Sequence, residues 1–261
     1  MKTTDNLVGG GSASLSSEAS LRIDLAAAFR LAVQFGWHES VGNHFSAAVS
    51  ADGSKFLMNP KWVHFSEVRA VDLQLLDAHD NKTMDSQNAP DPSAWCIHGT
   101  VHRNNPACRV LFHCHPPNAT ALACLQDPQL KPIDLNTARF FGKTAIDVGF
   151  GGMADAAEEG ERIAETLGSK QVLIMGNHGV AVSAETVAEA FETLYFFERA
   201  SETLLKAYAT GRPLAVMPDA LAEKTAREWD PYQGMAFAHF DHLKRQLDRD
   251  QPDYKELSEQ G

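Results

Sequence analysis
The amino-acid sequence predicts an α/β layered domain with a helical C-terminal part. Two observations carry this expectation. Continuous apolar runs at 109–112 and 172–175 read as buried strands, and segments of helical period lie before, between and after them. From about residue 185 onward only helical patterns follow. Mixed strands and helices in this order pack as layers around one core. At 261 residues the chain is long enough to bury a sizeable core and suits one large domain, with or without an appendage.

The elements follow in order. Residues 1–17 are rich in Gly and Ser and read as a disordered tail, with no apolar stretch of the kind a secretory signal needs. Leu21, Leu25, Ala28, Ala32 and Phe35 recur at helical spacing, and Gly36 stops that helix. Residues 46–50 and 55–58 form a hairpin around Ala51-Asp52-Gly53. A short apolar run at 71–76 reads as a strand. Pro90 and Pro92 interrupt the chain, and a helix then runs from Ser93 to His102, ended by Asn104-Asn105-Pro106. The strand beginning at Arg109 stops on Pro116-Pro117. A helix covers 118–125, and after a loop another covers 153–167. The strand at 172–175 ends in the turn Gly176-Asn177-His178-Gly179, and 180–183 continues as a strand. A long helix spans 185–210, closed by Gly211 and Pro213, and helices at 219–229 and 235–248 complete the chain.

Composition narrows the function. A net charge of −11 argues against a nucleic-acid partner, whose phosphates attract basic surfaces. No apolar stretch approaches the ~20 residues that span a bilayer, so no membrane role is expected. Cys96, Cys108, Cys114 and Cys124 show no CxxC spacing. Without an export signal they read as reduced thiols in the cytoplasm.

The chemistry concentrates in histidines. Side chains alternate faces along a strand, so His113 and His115 point the same way and Cys114 points away. Two imidazoles so placed can chelate one ion. His178, in a glycine-flanked turn after a second apolar strand, supplies the third ligand. Three histidines with an open fourth position form the catalytic zinc pattern. The expected cofactor is one divalent ion, zinc first, with manganese, iron, nickel or cobalt as alternatives. His98 and His102 share a helix face at i, i+4, but Gly99 stands where a zincin has its glutamate. His102 reads as solvated helix surface. His98 reads as a group able to reach the metal pocket behind a ligand or as an acid/base. His38, His44 and His64 lie in loops or turns and read first as surface histidines.

Taken together, these segments resemble the class II aldolase/adducin family. The resemblance covers roughly residues 20–215 and rests on Pro92-Ser93-Ala94-Trp95-Cys96-Ile97-His98, on the HxH strand ending at Pro116, on Gly176-Asn177-His178-Gly179 and on the long helix after it. It implies a three-layer α/β/α sandwich with a central, mainly antiparallel sheet over 18–215 and a helical extension over 216–261. It further implies a homotetramer with active sites at subunit interfaces and an ion on His113, His115 and His178. In the family's sugar-phosphate aldolases that ion binds the substrate's hydroxy-keto unit and stabilises the enediolate left by carbon–carbon cleavage.

Departures from the family pattern shape the expected chemistry. Its acid/base glutamate is Ala94 here, its Thr-Gly phosphate cradle is Lys61-Trp62, and the first serine of its SSEW-like segment is Pro92. Its GNxS motif appears as Gly42-Asn43-His44-Phe45-Ser46, with one extra residue. Asn43, Lys61 and Ser93 are the candidate substrate-binding residues, with Lys61 a point charge for a carboxylate. His98, with His44 or His64 as alternatives, is the candidate acid/base. The expected function is a metal-dependent carbon–carbon lyase, an aldolase or a decarboxylase like some family members, acting on a small non-phosphorylated hydroxy or keto carboxylate. The alternatives are a non-catalytic, adducin-like module of the cytoskeletal, actin-associated kind, and an epimerase, which Ala94 disfavours as it does an aldolase.

Overall fold
In the computed structural model, which describes residues 17–153 and 156–258, the apolar run after Arg109 becomes β4 (Val110–Cys114). This strand is buried along its whole length because it lies in the middle of a seven-stranded sheet. The other strands are β1 (His44–Ala48), β2 (Lys55–Met58), β3 (Gln74–Asp77), β5 (Thr144–Asp147), β6 (Val172–Met175) and β7 (Gly179–Ala184). Their order is β3-β2-β1-β4-β7-β6-β5, and every neighbouring pair is antiparallel except β5 with β6.

Alternation along β4 builds the two outer layers. Val110, Phe112 and Cys114 face a core shared with α1 (Glu18–Gln34), α4 (Pro117–Ala123) and α7 (Val187–Ala209), which contribute residues such as Phe29, Leu122 and Phe197. Leu111 faces the opposite side, against Ile97, Val101, Ile163 and Leu167. Those residues come from a broken helical stretch and from α6 (Ala157–Leu167). The stretch consists of α2 (Pro92–Ala94), a π-helical turn (Trp95–Gly99) and α3 (Thr100–Asn104). The result is the expected α/β/α sandwich with a mainly antiparallel sheet.

The C-terminal helices do not stand apart. Within α9 (Gln233–Asp250), Phe240, Leu243 and Leu247 join the core under α7, and Tyr254 is buried beside them. Arg30 holds the segment after α9 through Asp253 at 2.7 Å. The helix α8 (Asp219–Glu228) lies against α5 (Leu135–Ala138).

Three sequence expectations change. The run at 71–76 divides into a 3-10 turn (Ala70–Asp72) and then β3, because Asp72 accepts hydrogen bonds from the Arg69 backbone and guanidinium and so caps a turn. The elements α5 and β5 were not expected. β5 is a partly exposed edge strand whose sequence, Thr-Ala-Ile-Asp, carries no continuous apolar run. The helix expected from 153 begins at Ala157. The expected tail lies outside the described residues except for Ser17, whose hydroxyl accepts the Ser20 N–H and caps α1. Cys108, Cys114 and Cys124 are free thiols, and of the four cysteines only Cys124 is exposed. Among the described residues no helix is long and apolar enough to cross a membrane.

Candidate metal centre
Sheet register brings the three predicted ligands together. His113 is the penultimate residue of β4, paired with His44 on β1 and Ala181 on β7. His115 follows just past the strand end. His178 sits in the tight turn between β6 and β7, where Asn177 takes a left-handed φ of 56°. The ring centroids are 4.8–5.1 Å apart, and one nitrogen from each lies within 4.8 Å of the others. Gly179 is required by this packing, since a Cβ there would lie 2.5 Å from His115 Cδ2 and 2.8 Å from the Cys114 carbonyl.

Hydrogen bonds behind two rings select the nitrogen each offers. His113 Nδ1 donates to the Val180 carbonyl at 3.1 Å, and His115 Nδ1 donates to Glu39 Oε2 at 2.5 Å. Both leave Nε2 for an ion, in the usual arrangement of a histidine ligand backed by a carbonyl or carboxylate. His115 Nε2 is buried and without a hydrogen-bond partner, the orphaned atom that a metal would satisfy. Burial, then repulsion from neighbouring imidazoles, pushes His113 well below its ordinary pKa and His178 to about 4. These rings are therefore neutral near pH 7, as ligands must be. A set of three imidazoles suits a divalent ion of the zinc type.

The histidines open into a cavity of about 470 Å³, also lined by Asn43, His44, Lys61, Trp62, Ser93 and Ala94. All three predicted substrate-binding residues thus reach it. Asn43 holds φ 69° and its buried Oδ1 has no partner. Ser93 Oγ donates to Asp91 Oδ1 at 2.7 Å. Lys61 Nζ lies 4.3 Å from the Trp62 ring centre. Trp62 adopts φ 62°, a conformation costly for a bulky side chain, and its indole is 70 % exposed. Ala94 is buried and brings no carboxylate.

Three histidines are placed differently from expectation. His44 is no surface residue; it is buried on β1, lines the cavity and stacks on His113 at 5.0 Å. His98 is fully buried and does not line the cavity, so it is not placed to exchange a proton with a bound molecule. Its Nε2 meets His44 Nδ1 at 2.9 Å instead, one ring back from the cavity. His102 is also fully buried, stacked on Phe56 and bonded to Ser46 Oγ at 2.7 Å, because its helix packs onto the sheet. Burial lowers His44 and His102 to about 3. His64 bonds Ser66 at 2.6 Å and does not line the cavity. Sequence reasoning missed Glu39 and Asp91, whose roles depend on loop placement and leave no fixed spacing.

Two outcomes follow from this geometry. Glu39→Ala is expected to weaken zinc binding about 10–100-fold, while Glu39→Gln keeps an acceptor and most of the affinity. Chelator competition measures both, and equal affinities throughout would contradict an orienting role. For pH, His44 and His102 are held near 3 against 6.5 when free. Between those values the unfolded chain binds protons that the folded chain excludes, so stability is full above pH ~6.5 and falls as pH drops towards ~3. Going from pH ~7 to ~5 should cost the metal-free protein about 2 kcal/mol per ring. Urea unfolding reads this, and a midpoint unchanged by pH would contradict it.

The chain is similar to several known proteins. A protein of Caulobacter vibrioides, provisionally named an aldolase class 2 protein, is 28 % identical over 240 residues, 91 % of this chain and 93 % of its own. The decarboxylase NovR of Streptomyces niveus is 25 % identical over 82 % of each chain. Alpha-adducin of Rattus norvegicus is 31 % identical over 74 % of this chain but 26 % of its own. The crystal structure of an aldolase II superfamily protein from Pseudomonas syringae superposes with a TM-score of 0.82 at 27 % identity, covering 94 % of this chain and 98 % of that one. Residues 23–205 match the family described as Class II Aldolase and Adducin N-terminal domain, and the chain belongs to that family.

Proposed function
We propose that this protein is a metal-dependent carbon–carbon lyase, aldolase- or decarboxylase-like, acting on a small non-phosphorylated hydroxy or keto carboxylate. The observation that carries this reading is the orphaned His115 Nε2, facing the same cavity as His113 and His178. A bound ion would supply Lewis acidity for negative charge developing on substrate oxygens. His113, His115 and His178 would hold it. Lys61, which forms no ion pair among the described residues, would take a substrate carboxylate as a point charge. Asn43 Oδ1 would accept a substrate hydroxyl, and Ser93 would fix one edge of the cavity.

Two residues shift the reading away from phosphorylated sugars. The Trp62 indole fills the turn in which small residues would expose backbone donors to a phosphate. Ala94 removes proton transfer from the position where the family's aldolases place it. Decarboxylation needs no base there, and the likeness to a decarboxylase supports that branch. Trp62, Phe150 and Met153 are 70 %, 50 % and 80 % exposed around the cavity mouth, which supports cover by a neighbouring subunit in a homotetramer. The second reading, an adducin-like interaction module, is favoured by Ala94 and by the likeness to alpha-adducin.

A screen of hydroxy and keto acids with the zinc- or manganese-loaded protein, following carbon dioxide and aldehyde release together, separates the readings. The expected result is ion-dependent release of one product, lost in His113→Ala and His178→Ala. Full metal uptake with no turnover of any acid would favour the adducin-like role. Ordinary turnover of a sugar phosphate would contradict the loss of the phosphate cradle.

A further inference from the structure
Behind the metal cavity, four buried side chains form one continuous hydrogen-bonded row. His44 Nδ1 lies 2.9 Å from His98 Nε2, His98 Nδ1 lies 2.5 Å from Ser46 Oγ, and Ser46 Oγ lies 2.7 Å from His102 Nε2. Strand alternation and register explain the row. His44 and Ser46 share one face of β1, and the helical stretch carrying His98 and His102 packs onto that face.

A hydroxyl and a neutral imidazole each carry one proton to donate. His98 donates at one ring nitrogen and accepts at the other, and the buried Ser46 O–H stays paired only by donating to one of its two ring partners, so the links run in one direction and the two ends together select it. At the cavity end, Ser93 gives its hydroxyl proton to Asp91, so Ser93 Oγ, 3.5 Å from His44 Nε2, has only lone pairs left to offer. An N–H is favoured there, and the Asp91 carboxylate nearby favours it too. At the interior end, His102 Nδ1 is buried with no hydrogen-bond partner. The Cys108 carbonyl is near that ring but not in hydrogen-bonding geometry. A buried acceptor left unpaired is tolerated more readily than a buried N–H left unpaired.

We propose that the row His102–Ser46–His98 fixes His44 in one tautomer, with Nδ1 bare and an Nε2–H donor presented to the cavity. His102 Nε2–H donates to Ser46 Oγ, Ser46 O–H to His98 Nδ1, and His98 Nε2–H to His44 Nδ1. His44 is then a neutral hydrogen-bond donor and not a base. Its natural target is an anionic oxygen, a carboxylate or a developing oxyanion, and this last step rests on the lyase reading above. Ser46, His98 and His102 are positioning residues that act through His44.

Histidine-selective ¹⁵N labelling of the full chain tests this, because two-bond proton–nitrogen couplings report which ring nitrogen is protonated. Spectra would be taken at pH ~8, above the ordinary histidine range, with and without zinc. The expected result is His44 protonated at Nε2 alone. In Ser46→Ala the link to His98 is lost and His44 should show both tautomers. In His102→Phe, whose ring keeps the stack on Phe56, Ser46 can still donate to His98 and the His44 tautomer should persist. Zinc affinity should stay within about twofold in both variants, since neither residue touches a ligand. His44 protonated at Nδ1, or already mixed in the parent protein, would overturn the proposal, as would an unchanged single tautomer in Ser46→Ala. The metal-free spectrum decides the matter even if zinc does not bind, so failure of the lyase reading and failure of this proposal are distinguishable.

Discussion
The double burial of β4 is the constraint on which the rest depends. A strand held between β1 and β7, with helices on both faces, leaves no freedom in register, because a slip of one residue would send Phe112 to the wrong core and His113 with it. Pro116 and Pro117 follow directly after the strand end and open α4. His113 and His115 are therefore delivered to the C-terminal end of the central strand by packing, and the β6–β7 turn, closed by Gly179, brings His178 to meet them. Hydrogen bonds to Val180 and Glu39 then decide which nitrogen faces inward.

Around those three histidines, two residues bear on the chemistry the cavity can support. Ala94 and Trp62 are both at the cavity. Ala94 brings no proton-transferring group, and Trp62 carries a bulky indole on a backbone turn of left-handed conformation. His44, which the sequence offers only as an alternative acid/base, occupies the same cavity and stacks on His113. A neutral donor there is compatible with charge developing on a substrate oxygen but not with base chemistry.

Much of this was legible in the sequence. The HxH strand, the Asn177-His178 turn and the long α7 are local patterns, set by alternation, glycine placement and helical period, and they are found where expected. Long-range pairing was not legible. His44 becomes a site residue only because β1 registers His44 against His113, and His102 is buried only because its helix lies on the sheet. Each reads locally as a polar residue near a turn or on a helix surface. Glu39 was missed for the same reason, since its contact with His115 is made by a loop. The strand β5 escaped because parallel pairing with β6 at an edge needs little apolar sequence.

X-ray absorption at the zinc edge of the loaded protein tests the central claim most directly. Three imidazole nitrogens at about 2.0–2.1 Å with one further light-atom ligand, and one imidazole fewer in His178→Ala, is the predicted result. Sulfur ligation, or a parent protein that takes up no zinc at all, would contradict it.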